Sequence, residues 1–155
     1  MAKKRDQIKM TDSEIAEFLA AERVANVASN GRDGWPHVTA LWYVMRGTDP
    51  WIWTYAKSQK VKNLERDPRA TLQVEAGDTY DQLRGLMLRT EAVIHRDDAT
   101  KLAFVEQLAA RYAPPGVDPE AMRAGFAAQV PKRVAIEFKE LGRVSWDHRK
   151  LGGTY

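Results

Sequence analysis

The sequence predicts an α+β fold in which an antiparallel β-barrel carries flanking helices. Six or seven short segments show strand patterns, and two longer segments have the 3.6-residue period of helices. No repeat, low-complexity tract or linker divides the 155 residues, of which 44% are hydrophobic and 29% are charged. These values are typical of one globular domain. We expect residues 11–155 to form the domain and residues 1–10 to form a basic N-terminal tail.

Capping residues and apolar spacing predict four helices, at residues 11–22, 58–67, 98–112 and from 118 onward. Thr11 and Glu14 form a capping box ahead of the first helix, and Ser58 is the expected N-cap of the second. Asp118-Pro119 has the N-cap and N1 residues that begin the fourth. In the third helix we expect three residues to face the core: Leu102, Val105 and Leu108.

Strands are predicted at residues 24–29, 37–45, 51–55, 69–76, 86–94 and 134–138, with a seventh candidate at 144–146. The aromatic residues of segment 51–55 share one strand face, because side chains alternate along a strand. Four tryptophans lie close together in the chain: Trp35, Trp42, Trp51 and Trp53. This is more aromatic surface than one small barrel hides, so we expect a homodimer with an apolar interface.

Several classes of function are disfavoured. The chain has no cysteine, and its three histidines lack metal-ligand spacing, so we expect no metal site. No pattern for a hydrolytic triad is present. The net charge of +3, with acidic residues well mixed in, disfavours nucleic acid as a partner, although small barrels with exposed aromatics and lysines can bind single strands. The apolar stretches are too short for a membrane span or a secretory signal, so we expect a cytoplasmic protein.

The segment that follows the 51–55 strand has the features of a phosphate site. A polar loop with Lys57 leads into the helix that begins at Ser58, and Lys60 lies in its first turn. A helix start offers unpaired N–H groups and the positive end of the helix dipole, and the lysines add charge. The alternative is an exposed, lysine-rich helix end that binds no ligand.

The same segment carries a family resemblance, in Lys60-Val-Lys-Asn-Leu-Glu-Arg-Asp-Pro-Arg-Ala-Thr-Leu72. Together with the preceding helix, the Asp33-Gly34 turn and the strands near 37–43 and 86–93, it resembles the pyridoxamine-phosphate-oxidase-like split-barrel proteins. The similarity is greatest to the actinobacterial branch that binds the deazaflavin coenzyme F420. The resemblance implies a six-stranded antiparallel split β-barrel that forms a homodimer with cofactor sites between the subunits.

The resemblance also implies roles for individual residues. Lys60 and Ser58 would bind the cofactor phosphate, and Lys57 would assist or contact an acidic tail. The residues expected to line the ring system are His37, Val38, Thr39, Leu41, Trp42, Trp53 and Thr54. Arg84 and Trp146 would close the site from the other subunit. His148 is the one histidine considered as a proton donor, and no other catalytic side chain is assigned.

Two departures from the family pattern bear on the cofactor. His37 stands where the FMN oxidases usually have a phosphate-binding arginine, which favours F420 over FMN. Lysines at 57, 60 and 62, with Arg149 and Lys150, suit the acidic tail that FMN lacks. The spacing of Asp147-His148-Arg149 differs from that of the tail that holds pyridoxal phosphate, so we do not expect pyridoxamine-phosphate oxidase activity.

The resulting expectation is an oxidoreductase in which reduced F420 passes a hydride to an electrophilic, unsaturated small molecule. The alternatives are an FMN-dependent oxidoreductase of the same fold and a non-catalytic cofactor- or heme-binding protein.

Overall fold

The computed structural model describes residues 3–153, in which a curled antiparallel sheet has the strand order β2-β1-β5-β6-β7-β4-β3. The seven strands are β1 (Val24–Asn30), β2 (Pro36–Trp42), β3 (Val44–Arg46), β4 (Asp49–Tyr55), β5 (Arg69–Ala76), β6 (Arg84–His95) and β7 (Arg133–Asp147). Although β2 and β4 are not neighbours in the sheet order, they contact each other. The sheet therefore curls into a half-barrel.

Helices flank this sheet: α1 (Lys4–Gln7), α2 (Asp12–Ala21), α3 (Gln59–Arg66), α4 (Asp98–Tyr112) and α5 (Pro119–Ala127). Three short 3-10 turns cover Tyr80–Gln82, Val130–Lys132 and His148–Leu151. The predicted capping box of Thr11 and Glu14 begins α2, and Asp118 caps α5 with Pro119 in its first turn. The predicted start of α3 after Ser58 is also confirmed. Within the described residues, no helix is long and apolar enough to span a membrane.

The expectation of six strands is wrong, because the predicted 37–45 strand is interrupted. Tyr43 lies between β2 and β3, fully buried, and both of its backbone groups bond to one side chain. Its N–H donates to the Tyr112 hydroxyl at 3.0 Å, and that hydroxyl lies 2.6 Å from the Tyr43 carbonyl oxygen. A backbone unit bonded to a side chain on α4 cannot also pair in the sheet, so the strand breaks there.

The predicted strands at 134–138 and 144–146 are one continuous strand, β7. Its register with β6 shifts between Arg89, which faces Gly142, and Thr90, which faces Glu140. Leu141 is the extra residue of this β-bulge and is exposed. The bulge lets β7 bend without ending, which explains why its apolar alternation is interrupted in the sequence.

The core has two parts. One fills the half-barrel, and the other lies where α4 and α5 pack on β4. Trp51 and Trp53 belong to the second part, whereas Trp35 and Trp42 are exposed. The four tryptophans therefore divide equally between the core and the surface.

The inward face of α4 differs from the prediction at one position. Leu102 is 43% exposed, whereas Phe104 and Val105 are fully buried. Lys101 is buried beside them, and its ammonium donates to the Val130 carbonyl at 3.0 Å and pairs with Asp98 at 2.9 Å. Because these bonds satisfy the buried charge, α4 can turn Lys101 inward and Leu102 outward.

This orientation predicts unequal costs for two truncations in α4. Phe104→Ala should lower the free energy of unfolding by about 3–5 kcal/mol, because it opens a cavity in the second part of the core. Leu102→Ala should change it by no more than about 0.5 kcal/mol, because Leu102 is largely in solvent. Urea denaturation of both variants is the measurement. Equal losses would show that the helix has the orientation expected from its sequence.

Candidate functional site

A buried lysine lies at the centre of the candidate site. Lys60, in the first turn of α3, is 8% exposed, and its ammonium donates to the Thr54 hydroxyl at 3.1 Å. Burial, and then the charge of Arg133, lowers the pKa of Lys60. Among the described residues no carboxylate pairs with it. An ammonium has three donors, so an anion would be a favourable further partner for this one.

Ser58 precedes α3 at the N-cap position, but its hydroxyl makes no capping hydrogen bond. The hydroxyl oxygen is buried and has no partner within residues 3–153. The first turn of α3 adds backbone N–H groups that no helical carbonyl accepts, together with the positive end of the helix dipole. Ser58, Lys60 and the start of α3 thus form one group of donors.

Two further buried polar atoms lack partners in the described chain, Nδ1 of His37 and Oγ1 of Thr39. Together with the Ser58 hydroxyl oxygen, they are the three buried side-chain atoms of residues 3–153 that are orphaned, in that they lack a hydrogen-bond partner. Each of the three belongs to a residue predicted to bind a cofactor. Buried polar groups are nearly always hydrogen-bonded, so three such atoms point to a polar ligand.

The same strand and helix meet at a groove. His37 lines a groove of about 380 Å³ together with Gln59 and Asn63 of α3 and the turn that includes Arg32. Asn63 donates to the Ser29 hydroxyl at 3.1 Å, which links α3 to β1. The structure therefore brings β2 and the start of α3 together at this groove.

The remaining predicted ring contacts divide between two faces. His37, Thr39 and Leu41 are partly buried, whereas Val38 and Trp42 point away from them and are 57% and 46% exposed. The Trp42 ring stacks on Tyr112 with centroids 4.5 Å apart. Trp53 is buried in the second part of the core, edge-on to Phe126. Lys57 is exposed beside Ser58.

A second group of predicted residues lies at the other end of β7. Thr54 pairs with Val134 near the start of β7, whereas Arg84 pairs with Asp147 at its end. Trp146 packs flat on Gly85, where its indole leaves no room for a side chain. Residues 134 and 146 are separated by about 40 Å of extended strand. Lys60 and Trp146 of one chain therefore lie toward opposite ends of β7.

Arg84 and His148 lie at the same end of β7 as Trp146. Arg84 pairs with Glu22 at 3.5 Å and its guanidinium lies over the Phe18 ring. Nδ1 of His148 lies 2.9 Å from the Tyr80 carbonyl oxygen.

The basic residues near the C-terminus have carboxylate partners. Arg149 pairs with Asp147, and Lys150 pairs with Glu14, each at 2.6 Å. Their charges are therefore already compensated, which weakens the prediction that they bind an acidic tail. Sequence reasoning missed a different cation, Arg133, whose guanidinium lies beside Tyr55. Arg133 directly precedes the predicted 134–138 strand. Had the pairing of β4 with β7 been known, this position would have indicated that Arg133 lies beside Tyr55.

Comparison with known proteins agrees with this geometry. Residues 11–139 match the family model described as pyridoxamine 5'-phosphate oxidase. The chain belongs to the pyridoxamine 5'-phosphate oxidase family. None of the curated proteins matches the sequence.

Solved structures of the pyridoxamine 5'-phosphate oxidase-like fold resemble the chain over most of its length. A conserved hypothetical protein of Mycobacterium tuberculosis is 38% identical, with a TM-score of 0.87 over 99% of this chain and 95% of that one. An F420 reductase is 25% identical, with a TM-score of 0.62 over 82% and 93%. The heme storage protein HutZ of Vibrio cholerae, 17% identical with a TM-score of 0.69 over 86% and 94%, shares the fold.

The orphaned hydroxyl of Ser58 predicts an unusual result for its removal. Ser58→Ala should leave the free energy of unfolding unchanged or raise it, because an unpaired buried hydroxyl costs about 1–3 kcal/mol. Thr11→Ala is the matched control: its hydroxyl does cap a helix, so its loss should cost about 1 kcal/mol. Urea denaturation without ligand measures both. A loss at Ser58 as large as that at Thr11 would mean that Ser58 stabilises α3.

Proposed function

We propose that this protein is an F420-dependent oxidoreductase that passes a hydride to an electrophilic, unsaturated small molecule. The observations that carry the proposal are the orphaned buried atoms on His37, Thr39 and Ser58, together with a buried Lys60 that has no carboxylate partner in the described chain. The likeness to a solved F420 reductase supports it. When bound, the deazaflavin supplies the two-electron hydride chemistry.

In this proposal the protein binds the cofactor and positions it. The Lys60 ammonium and the Ser58 hydroxyl bind the phosphate, with backbone N–H groups at the start of α3. Thr54 holds the Lys60 ammonium in place through the 3.1 Å hydrogen bond. Because Lys60 is buried, its attraction to an anion is stronger than that of a lysine in water.

The residues on β2 have a different role. The imidazole of His37 and the hydroxyl of Thr39 hydrogen-bond the polar edge of the ring system. Leu41 lies on the same side of the strand and adds an apolar contact.

A complete site needs a second copy of the chain. Arg84 and Trp146 lie at the opposite end of β7 from Lys60, so they reach a cofactor only when they come from the other subunit. We therefore propose a homodimer in which each site combines one Lys60 half-site with one Trp146 half-site. The exposed outer face of β2, with Val38 and Trp42, supplies apolar surface for this interface. His148 lies in the second half-site and is the candidate proton donor there.

FMN is the alternative cofactor. The phosphate-facing residues fit any phosphate-bearing flavin, since Lys60 and Ser58 recognise charge and not the ring. The histidine at position 37 favours the deazaflavin, because the FMN oxidases resembled by the sequence usually have arginine there. Direct titration decides between the two.

We expect Lys60→Ala to weaken F420 binding about ten- to a hundredfold, because a charge-assisted hydrogen bond contributes about 1.5–3 kcal/mol. Quenching of tryptophan fluorescence on titration with F420, and then with FMN, measures the dissociation constants. The wild-type protein should bind F420 at least about tenfold more tightly than FMN.

Lys62→Ala is the matched control for this titration, because Lys62 lies in the same helix but is exposed. It should change the affinity by less than about twofold. Equal losses at the two positions would indicate diffuse electrostatic attraction and no defined phosphate site. Tighter binding of FMN than of F420 by the wild-type protein would overturn the cofactor assignment.

Sedimentation at low micromolar concentration should show a species of about twice the 17.6 kDa chain mass. Val38→Asp should raise the dimer dissociation constant at least about tenfold, because it would bury a charge in the interface. Leu102→Asp adds the same charge at an exposed apolar position on α4 and should leave the dimer intact. A wild-type monomer at this concentration would contradict the two-copy site.

A further inference from the structure

A cavity of about 700 Å³ lies between α2, α4 and the hairpin of β3 and β4. Cavities that bind small organic molecules have volumes of about 300–1,000 Å³, so this one has room for such a ligand. None of the residues predicted to bind a cofactor lines it. The cavity is therefore separate from the groove beside His37.

The buried wall of the cavity is apolar and belongs to both parts of the core. Four of its residues come from the part that fills the half-barrel and one from the part under α4: Ile15, Leu19, Leu86 and Leu88, and then Val44. Where α2 and α4 line the cavity they carry the small side chains of Ala16, Ala20 and Ala110, which leave its volume unfilled. A ligand that enters this space gains free energy by burying an apolar body.

One end of the cavity carries a fixed cation. Arg111 of α4 is half-buried there, and its Nη2 donates to the carbonyl oxygens of Leu19 and Glu22 at 2.9 and 2.6 Å. Among residues 3–153 no carboxylate pairs with Arg111, and its Nη1 has no acceptor. Gln107 lines the cavity one turn earlier on α4, and its amide oxygen accepts from Arg46 at 2.6 Å, whereas its amide nitrogen has no acceptor in the same range. This end therefore offers unpaired donors and a positive charge.

The other end of the cavity is acidic. Arg143 lies there between two carboxylates, that of Glu140 at 2.5 Å and that of Asp12 at 3.4 Å. Asp12 begins α2, whereas Leu19 lies in its last turn beside Arg111, so about 10 Å of helix separates the two ends. Two carboxylates around one guanidinium leave a net negative charge, so an anion is attracted to the Arg111 end and repelled from this one.

We propose that this cavity binds a small carboxylic acid with an aliphatic body, whose carboxylate accepts from Arg111 and Gln107 and whose body lies against the apolar wall beneath α2. A hydrogen bond between a guanidinium and a carboxylate is about twice as strong as one between neutral groups. No aromatic residue lines the cavity, so an aliphatic body suits it better than a flat ring that needs a stacking partner. The site goes beyond the cofactor chemistry proposed above and does not depend on it.

Calorimetric titration of the full chain with octanoate and with octanol is the test. The two probes share an aliphatic body, but only octanoate has a charge for Arg111. The wild-type protein should bind octanoate at least about tenfold more tightly than octanol. Equal affinities would overturn the role of Arg111, and no binding of octanoate would overturn the site.

Two pairs of variants locate the bound probe. Ala16→Trp fills the cavity and should weaken octanoate binding at least about tenfold, whereas Ala103→Trp, at an exposed position of α4 that does not line the cavity, should leave it unchanged. Arg111→Met should remove the preference for octanoate over octanol. Arg96→Met should keep that preference, because Arg96 pairs with Glu65 outside the cavity.

Octanoate that binds Ala16→Trp as tightly as the wild type, or that saturating F420 or FMN displaces, would overturn a separate site in this cavity. Binding of octanoate only at protein concentrations where the chain is monomeric would show that a second copy covers the cavity, and would overturn the proposal as well. Because Arg111 also holds the end of α2, the thermal midpoint of each variant separates loss of folding from loss of binding. The comparison of octanoate with octanol on the wild type needs no variant, and failure of F420 to bind would leave this inference intact.

Discussion

The pairing of β7 with β4 on one side and β6 on the other determines how far apart Thr54, which binds Lys60, and Arg84 lie. The first residues of β7 pair with the end of β4, where Thr54 meets Lys60, and the last pair with the start of β6, beside Arg84. The bulge at Leu141 bends the strand without interrupting it. Because a continuous hydrogen-bonded strand cannot fold back on itself, Lys60 and Trp146 stay toward opposite ends of β7 within one chain.

The candidate site around Lys60, Ser58 and His37 keeps an unfavourable arrangement that recurs nowhere else within residues 3–153. A buried ammonium with a single hydroxyl partner costs folding free energy, as do the three unpaired polar atoms on His37, Thr39 and Ser58. The lowered pKa of Lys60 has the same meaning: the folded protein binds this proton less tightly than the unfolded chain does. The stability lost while Lys60 is charged is regained as pH rises from the lowered pKa of the folded protein to the higher pKa of the unfolded chain, whereas affinity for an anion falls as Lys60 loses its proton. An anionic ligand that pairs with the Lys60 ammonium offsets the folding cost of burying that charge.

Local patterns in the sequence were sufficient for several parts of the fold, and contacts between distant segments explain the rest. The capping box at Thr11 and the start of α3 after Ser58 depend on neighbouring residues, and both predictions are confirmed. The strand break at Tyr43 depends on the Tyr112 hydroxyl, 69 positions away. The orientation of α4 likewise depends on the Val130 carbonyl that accepts from Lys101. In the candidate site, the motif identified Ser58 and Lys60, but Arg133 becomes visible only through the pairing of β7 with Tyr55.

The distribution of ionisable groups also explains why the candidate site suits a cofactor better than acid–base catalysis by side chains. His95 stacks on Trp51 and contacts Glu137 at 3.0 Å, which gives this pair a packing role under α4. The groove beside His37 is lined by one imidazole, the amides of Gln59 and Asn63 and the Asp33 carboxylate, and no hydrogen bond joins the imidazole to the carboxylate as an acid–base pair. A protein with such a site contributes position and electrostatics, and the bound group contributes the chemistry. Under the proposed function, selection between cofactors that share a phosphate depends on the residue at position 37.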